Sequence, residues 1–300
     1  MTTKSPRILV TGADGQLGTE LMRRAARFDV MATGLTIADL DITDARAVQQ
    51  SVTRSGATVV VNAAAYTAVD KAESESALAY AVNRDGTAHL ATACAEAKIP
   101  FIHVSTDYVF DGTKSTPYTE DDPVHPMSVY GASKEAGERL LREIWSRHIV
   151  LRTAWVYSAF GHNFVKIMLR LAQERDSLKV VADQQGSPTA AADLAEAILR
   201  IVQHIGVGQE IPWGTYHYCG AGSTTWHGFA EAIVKLAAPV LGRSIPVVPI
   251  TTAEYPTPVR RPTNSILDCT RIRQQFDIRP RPWRESLKEV VTELLEGKET

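Results

Sequence analysis

The sequence has few cysteines, little net charge and no long apolar run, and each shortage excludes a class of protein. Its 300 residues include three cysteines, Cys94, Cys219 and Cys269, with no CxxC or His-paired spacing, so neither a disulfide framework nor a zinc site is predicted. A net charge of −2 excludes an electrostatic nucleic-acid binder. No stretch approaches the roughly 18 apolar residues of a membrane span, and the start lacks an apolar signal region. These absences predict a cytoplasmic protein with reduced thiols and no membrane or nucleic-acid partner.

The hydrophobic content of 44% is enough for a sizeable core. Short apolar runs, typical of buried strands, alternate with helical patterns. The strands are predicted at Ile8–Thr11, Val59–Ala63, Phe101–Ser105 and Ile149–Thr153, and the helices at Gln16–Ala26, Asp44–Arg54, Val82–Lys98, Ser133–Trp145 and Trp226–Leu241. This alternation predicts an α/β fold, a Rossmann-like doubly wound parallel sheet. We expect residues 1–155 to form this domain and 156–300 to form mainly a smaller C-terminal substrate-binding lobe, with segments returning to the sheet.

A glycine-rich loop follows the first predicted strand. The chain runs from Arg7-Ile-Leu-Val-Thr into Gly12-Ala-Asp-Gly15-Gln-Leu-Gly18 and then into an apolar-periodic helix. Gly12 permits a tight turn, Gly15 lets the backbone approach a pyrophosphate, and Gly18 allows close helix packing. A simple turn would also use glycines, but the strand-to-helix context favours a dinucleotide site.

Tyr130 and Lys134 are four residues apart, so on a helix they share one face. A phenol has an ordinary pKa of about 10 and gives up its proton readily only if a cation stabilises the phenolate. Lys134 is the candidate cation. Thr106 follows a predicted strand, at the edge where open parallel sheets carry their chemistry, and could bind the oxygen that Tyr130 protonates. A solvated helix face and a strand cap would explain these residues singly, whereas the joint pattern predicts catalysis.

Longer motifs resemble the extended short-chain dehydrogenase/reductases and, more narrowly, the dTDP-4-dehydrorhamnose reductase family. The motifs are Asn62-Ala-Ala-Ala-Tyr-Thr-Ala-Val-Asp-Lys-Ala-Glu73, Val104-Ser-Thr-Asp-Tyr-Val-Phe-Asp-Gly112, Arg152-Thr-Ala-Trp-Val-Tyr157 and Asp183-Gln-Gln-Gly-Ser-Pro-Thr189. The resemblance implies reduction of the 4-keto group of dTDP-4-dehydro-L-rhamnose by NADPH or NADH. The product would be dTDP-L-rhamnose, a precursor of surface polysaccharide such as O-antigen. Tyr130 would be the acid, Lys134 would hold the ribose and lower the phenol pKa, and Thr106 would orient the carbonyl.

The resemblance also implies binding residues. Those for the cofactor are Gly12, Gly15, Gln16, Leu17, Gly18, Asp41, Ile42, Ala65, Tyr66, Thr67, Tyr130 and Lys134, and those for the substrate are Thr106, Asp107 and Trp155. Asp41 and Asp107 could equally cap local turns, and Trp155 could be core. NADPH is favoured because Val30–Gly34 carries no acidic residue to repel a 2′-phosphate, but no arginine is present there either, so NADH stays open.

Two further sets of residues are weaker candidates. Arg260, Arg261 and Asn264 lie in a Pro-rich loop that could reach a diphosphate or stay solvated. Some relatives hold Mg²⁺ between subunits of a homodimer, and Glu20 stands at the matching place. The carboxylate expected downstream is missing or displaced, because Ala190-Ala-Ala precede Asp193, which suits a helix first turn.

Three alternatives remain at the level of sequence. A sister reductase would deliver hydride to the other face of the same ketone and give dTDP-6-deoxy-L-talose. A non-catalytic regulatory subunit of the same fold would bind nucleotide without turnover, although an intact Tyr130, Lys134 and Thr106 argues for chemistry. An epimerase or dehydratase is the third alternative, but the dehydratase pattern of an acidic pair after the threonine is incomplete, because no glutamate follows Asp107.

Overall fold

The computed structural model describes residues 5–206 and 210–296. Its strands are β1 (Arg7–Thr11), β2 (Met31–Leu35), β3 (Val59–Asn62), β4 (Phe101–Thr106), β5 (His148–Thr153), β6 (Val156–Tyr157), β7 (Leu178–Val181), β8 (Gln185–Gly186), β9 (Thr189–Ala190), β10 (Gly214–His217), β11 (Thr224–Thr225) and β12 (Val247–Ile250). Its α-helices are α1 (Gln16–Arg24), α2 (Ala45–Ser55), α3 (Val69–Ala72), α4 (Ser76–Tyr80), α5 (Thr87–Ala97), α6 (Val129–Ile144), α7 (Phe164–Glu174), α8 (Ala191–Gly206), α9 (Trp226–Leu241), α10 (Thr270–Phe276) and α11 (Trp283–Glu296).

A six-stranded parallel sheet forms the centre of the molecule, in the order β10-β5-β4-β3-β1-β2. The predicted α/β doubly wound fold is therefore confirmed. The chain turns from β1 toward β2 on one side and continues through β3 and β4 on the other. In such sheets the crevice at the carboxyl ends of the strands, where the order reverses, is the usual ligand site.

Helices cover both faces of the sheet, as strands with nearly continuous apolar sequence require. Along β1, Val10 packs into a cluster with α1 and α8, whereas Leu9 points to the opposite cluster with α2, α5 and α6. This alternation follows from the two-residue period of a strand. Buried side chains on both faces hold the strands in place. The candidate site lies at the ends of these strands.

A second cluster lies in the C-terminal half of the chain. Here α7, α9 and α11 pack around Tyr157, Phe229 and Trp283, beside the parallel pair of β7 and β12. Beyond residue 155, α8 packs on α1, and β10 pairs with β5 in the central sheet. The division of the chain at residue 155 stays a prediction.

Most predicted elements are confirmed, but some boundaries were wrong. Helix α1 ends at Arg24 instead of Ala26, because the chain tightens into a 3-10 turn over Ala25–Phe28. The helix predicted over Val82–Lys98 is interrupted, since Ala81–Gly86 forms a π-helix before α5. The predicted bounds of α9 are those observed.

The helix that carries the Tyr–Lys pair begins earlier than predicted. It starts at Val129, not Ser133, because the Ser128 side chain accepts a hydrogen bond from the Gly131 amide and caps the helix. Tyr130 therefore lies in the first turn, on the same helix as Lys134.

The three cysteines are free thiols, but two of them meet. The sulfurs of Cys219 and Cys269 lie 3.6 Å apart, too far for a disulfide bond. Their sequence separation gave no indication of this contact. In residues 5–206 and 210–296 no helix is both long and apolar enough to cross a bilayer.

Candidate active site

The candidate site lies where β4 ends and α6 begins. Thr106 is the last residue of β4, and the chain then turns through a 3-10 helix over Asp107–Val109. A Cβ on Gly131 would lie 2.2 Å from the Tyr108 carbonyl oxygen. Only glycine thus lets the first turn of α6 approach the end of β4, and this approach brings Tyr130 to Thr106.

Tyr130 is held as a protonated phenol. Burial raises its pKa to about 12, although the hydroxyl of Thr106 acts in the opposite direction. The Tyr130 ring packs edge-on against Tyr108, with the ring centres 5.5 Å apart. At neutral pH the phenol therefore carries a proton that it could donate.

Lys134 is buried at 2% exposure, and its polar contacts are with β4. Its Nζ donates to the carbonyl oxygen of Val104 at 2.7 Å and lies 3.2 Å from Nε2 of His103. Burial lowers the pKa of Lys134 to about 8, and the charge of Glu138 opposes that shift. Burial is the largest influence on the pKa of Tyr130, and the expectation that Lys134 lowers this pKa stays a prediction.

Thr106 and Asp107 form a local pair. The Thr106 hydroxyl donates to Oδ1 of Asp107 at 3.1 Å and accepts from the Tyr108 amide at 3.2 Å, so it also caps the turn. Burial raises the pKa of Asp107 to about 6. Its Oδ2 has no hydrogen-bond partner within the described chain. A buried carboxylate oxygen without a partner is costly in a protein interior, and such groups concentrate at binding sites.

The glycine loop is shaped for a close ligand. Gly12 has φ +70°, and a Cβ there would lie 2.7 Å from the backbone of Ala64. A Cβ on Gly18 would lie 2.1 Å from the Gly12 carbonyl oxygen. Gly15 caps α1 without a side-chain hydrogen bond, so the first-turn amides of the helix face the loop. This arrangement fits the pyrophosphate of a dinucleotide.

Two loop residues have structural contacts as well. The Gln16 side chain accepts from Ser158 at 3.2 Å and from Asn163 at 3.0 Å, which ties the loop to the chain before α7. Leu17 is buried in the core cluster with α8.

The other predicted cofactor residues follow β2 and β3 in the chain. Asp41 accepts from the amide and hydroxyl of Thr43, and Ile42 is buried, its side chain meeting Gly86. The Asn83 side chain accepts a hydrogen bond from the backbone amide of Tyr66 and donates one to the Tyr66 carbonyl oxygen. Ala65 and Thr67 flank Tyr66 after the carboxyl end of β3.

A carboxylate that sequence reasoning missed lies just past β2. Asp39 accepts from the amide and the hydroxyl of Thr36, at 2.9 and 2.7 Å. The strand runs one residue further than Val30–Gly34, and the turn after it brings this acid back toward the strand end. The Thr36-x-x-Asp39 spacing, in which the acid bonds back to the amide three residues earlier as in a capping box, was the available signal.

Trp155 links the site to a neighbouring cleft. Its backbone adopts φ +49°, rare for a bulky residue, and its ring stacks on Trp226 with centres 3.6 Å apart. A Cβ on Gly186 would lie 2.4 Å from the Trp155 ring, so glycine makes room for it. Such strain persists where the surroundings enforce it, often at functional sites.

The cleft beside Trp226 has a volume of about 530 Å³ and was not predicted. Its aromatic walls are Phe164, Trp226 and Tyr255, and its cationic residues are Arg175, Lys179 and Arg261. These residues come from separate segments of the C-terminal half, so no local motif marks them.

The distal loop candidates differ in their contacts. Arg261 donates to Asp70 at 3.1 Å and lines the cleft. Asn264 is buried, and its amide donates to the carbonyls of Lys114 and Thr116, so it anchors a loop. Arg260 is exposed.

The acidic residues considered for a metal have cationic or hydroxyl partners. Glu20 is buried and accepts from Arg24 at 2.9 Å, while Asp193 pairs with Arg281 at 3.2 Å and accepts from Ser286. Across the described residues no group of three or more His, Cys, Asp or Glu is arranged to hold a metal ion.

Comparison with known proteins agrees with this geometry. The family model described as RmlD substrate binding domain matches residues 6–296. A dTDP-4-dehydrorhamnose reductase from Aggregatibacter actinomycetemcomitans is 46% identical and covers 95% of this chain and 98% of its own. The chain belongs to the dTDP-4-dehydrorhamnose reductase family.

Solved structures of the same family share the whole fold. A dTDP-4-dehydrorhamnose reductase from Clostridium acetobutylicum superposes with a TM-score of 0.90 at 39% identity, covering 96% of this chain and 99% of its own. One from Bacillus anthracis, in complex with NADP, gives a TM-score of 0.90 at 36% identity with the same coverage. The family resemblance found in the motifs is thereby confirmed.

Proposed function

We propose that this chain reduces the 4-keto group of dTDP-4-dehydro-L-rhamnose to dTDP-L-rhamnose with NADPH. One observation carries the proposal. A protonated Tyr130, the hydroxyl of Thr106 and the buried Lys134 share the sheet edge beside a glycine loop. Membership of the reductase family supports the same substrate.

The phenol is suited to act as the general acid. When bound, NADPH or NADH supplies a hydride to the carbonyl carbon. The C=O π bond then breaks toward oxygen, and Tyr130 transfers its O–H proton to that developing alkoxide. The Thr106 hydroxyl would turn its single proton from Asp107 to the same oxygen and stabilise its charge. A protonated Lys134 stabilises the phenolate that Tyr130 becomes, until the proton is regained from solvent.

The glycine loop would hold the cofactor. Gly12 and Gly18 let the loop pack closely on the backbone around it, and a pyrophosphate would bind where this loop meets the N-terminus of α1. Ala65, Tyr66 and Thr67 would run beside the nicotinamide half, and Asp41 and Ile42 beside the adenine. The Asp39 carboxylate accepts a hydrogen bond from the Thr36 hydroxyl, which reduces its repulsion of a 2′-phosphate. We therefore propose that NADPH and NADH both bind.

The 530 Å³ cleft would hold the nucleotide. Aromatic faces such as Trp226 and Tyr255 suit a base, and the forked guanidinium of Arg261 suits diphosphate oxygens. Asp107, which bonds Thr106, and Trp155, which stacks on Trp226 of the cleft, would contact the sugar. The homodimer, the cytoplasmic location and a subunit-interface Mg²⁺ at Glu20 stay predictions.

Turnover with the authentic substrate tests the proposal. The purified chain would be incubated with NADPH and dTDP-4-dehydro-L-rhamnose, cofactor oxidation followed by absorbance, and the sugar identified by NMR. We expect oxidation and dTDP-L-rhamnose. The 6-deoxy-talose epimer would keep the chemistry but reject the assigned product. Cofactor binding without oxidation of verified substrate would contradict the proposal and favour a regulatory subunit.

Thr106→Val should lower kcat/KM by about 10²-fold, the scale of one lost oxyanion contact. Thr92 provides a control, because its side chain is exposed on α5 and its hydroxyl donates to the Ala88 carbonyl. Thr92→Val should stay near wild type in steady-state assays. Equal activity of both variants would reduce Thr106 to a cap of its turn.

A further inference from the structure

A buried row of polar side chains lies behind Lys134 and crosses the sheet. Nζ of Lys134 is 3.2 Å from Nε2 of His103, and Nδ1 of His103 is 3.1 Å from Nδ2 of Asn62. Oδ1 of Asn62 accepts from the hydroxyl of Thr11 at 2.7 Å. All four residues are at most 2% exposed. Because water does not reach these groups, each hydrogen bond constrains the next.

The orientation of Asn62 is fixed by a backbone amide. The N–H of Ala64 donates to Oδ1 of Asn62 at 3.0 Å. A backbone N–H can only donate, so the Asn62 atom that faces it must be the oxygen. The Asn62 NH2 group therefore faces His103, and Nδ1 of His103 must accept.

This orientation determines the tautomer of His103. Burial holds the pKa of His103 well below its ordinary value, so the ring is neutral and carries one proton. With Nδ1 accepting from Asn62, that proton sits on Nε2 and points at Nζ of Lys134. An ammonium has only donors, whereas a neutral amine has one lone pair that can accept. The amine can still donate to the Val104 carbonyl.

We propose that Asn62 and His103 are positioning residues that favour the uncharged form of Lys134 and thereby set the upper pH limit of the reduction. The effect on the charge of Lys134 concerns the chain alone, whereas the effect on the pH limit rests on the proposed function. A hydrogen bond to the neutral form of a base disfavours its charged form. Because Lys134 must be protonated to stabilise the phenolate, activity falls above its pKa.

Other groups near α6 act on Lys134 and Tyr130. The negative charge of Glu138 on α6 favours the ammonium form of Lys134, but Glu138 also forms ion pairs with Arg152 and Arg142. The other titratable groups on α6 are Tyr130 itself, Glu135, Arg139 and Glu143. Those near it from other elements include Glu73 after α3, Asp107 and Tyr108 after β4, and His148 on β5. None of them donates to Nζ in the described structure, so His103 is the group whose tautomer matters.

Asn62→Asp tests the mechanism with an almost isosteric change. A carboxylate would accept from both Ala64 and His103, which moves the ring proton to Nδ1 and turns Nε2 into an acceptor for the ammonium. The tautomer would be read from the ring ¹⁵N signals of His103 in the cofactor-free chain, assigned by their loss in His103→Gln. We expect the Nε2–H tautomer in the wild type and the Nδ1–H tautomer in the variant.

The pH profile supplies the functional readout. The basic limb of kcat/KM should move upward by roughly one pH unit or more in Asn62→Asp, and in the same direction in His103→Gln, whose carbonyl can accept from the ammonium. Thr11→Val is the matched control. It removes a bond to the same Asn62 oxygen but leaves the orientation fixed by Ala64, so neither tautomer nor limb should move.

A wild-type ring proton on Nδ1 would overturn the proposal, and so would an unmoved basic limb in both variants. If neither variant folds, the wild-type tautomer still decides, with the ring signals of His103 then assigned by through-bond correlation to its own backbone. A wild type that shows the Nε2–H tautomer but no turnover would instead reject the proposed function. It would leave intact the inference that His103 favours the uncharged form of Lys134.

Discussion

Replacing Tyr130 with phenylalanine is expected to lower kcat by about 10²- to 10⁴-fold while leaving cofactor affinity near the wild-type value. The ring and its edge-on packing against Tyr108 are kept. Only the hydroxyl is lost, and with it the proton that the developing alkoxide takes. Thr106 can still donate a hydrogen bond to the alkoxide oxygen, but it cannot protonate that oxygen as efficiently as Tyr130. The substitution therefore lowers the rate of the chemical step and not the affinity for the cofactor.

Single-turnover rates and fluorescence titration with NADPH would separate the two effects. Tyr157→Phe is the matched control, because it removes another buried phenol hydroxyl, bonded to the Trp283 carbonyl in the second cluster. It should keep turnover within a few-fold of wild type. Turnover by Tyr130→Phe at the control's rate would remove Tyr130 as the acid.

Arg152→Met is expected to destabilise the fold by about 3 to 5 kcal/mol. Arg152 donates three hydrogen bonds to Glu138, from Nε to Oε1 at 3.0 Å and to Oε2 at 3.3 Å, and from Nη2 to Oε2 at 2.7 Å. Both side chains are buried. Without the guanidinium the carboxylate stays buried, with the partly exposed Arg142 as its remaining cation. The cost comes from that uncompensated charge more than from the lost bonds.

Two measurements would identify the cause. The double variant Arg152→Met/Glu138→Leu should recover most of the loss in urea unfolding, since an apolar pair needs no charge partner. The pH dependence is the second. Burial raises the pKa of Glu138, but the charge and hydrogen bonds of Arg152 outweigh it and bring the pKa to about 2, against an unfolded value of about 4.3.

The lowered pKa of Glu138 contributes stability above about pH 4.3, and this contribution is lost as the pH falls toward 2. The difference in the free energy of unfolding between wild type and Arg152→Met should therefore narrow from about pH 7 to about pH 3. A gap that stays constant, or a double variant no better than the single one, would contradict this explanation.

The sequence sufficed for the parts of the site that local patterns encode. The loop from Gly12 to Gly18 was predictable because backbone approach and positive φ require glycine at defined spacings. Tyr130 and Lys134 were predictable as one helix face, although Ser128 was not recognised as the cap. Thr106 was placed at a strand end by the same reasoning that placed β4.

The parts that depend on distant residues were not predictable. His103 lies in a strand and meets Lys134 on a helix, and Asn62 reaches it from another strand. No spacing rule connects the three, because sheet order decides which side chains meet. The cleft beside Trp226 has the same origin, since its walls come from segments that pack together only in the folded C-terminal half.

Deuterium transfer tests the central claim most directly. The purified chain would be given dTDP-4-dehydro-L-rhamnose and NADPH carrying deuterium on the transferable C4 position of the nicotinamide, and the isolated sugar would be examined by NMR and mass spectrometry. The account predicts one deuterium at C4 of dTDP-L-rhamnose, with the hydroxyl proton derived from solvent through Tyr130. Unlabelled sugar, or oxidation of the cofactor without a deuterium at C4, would contradict the account.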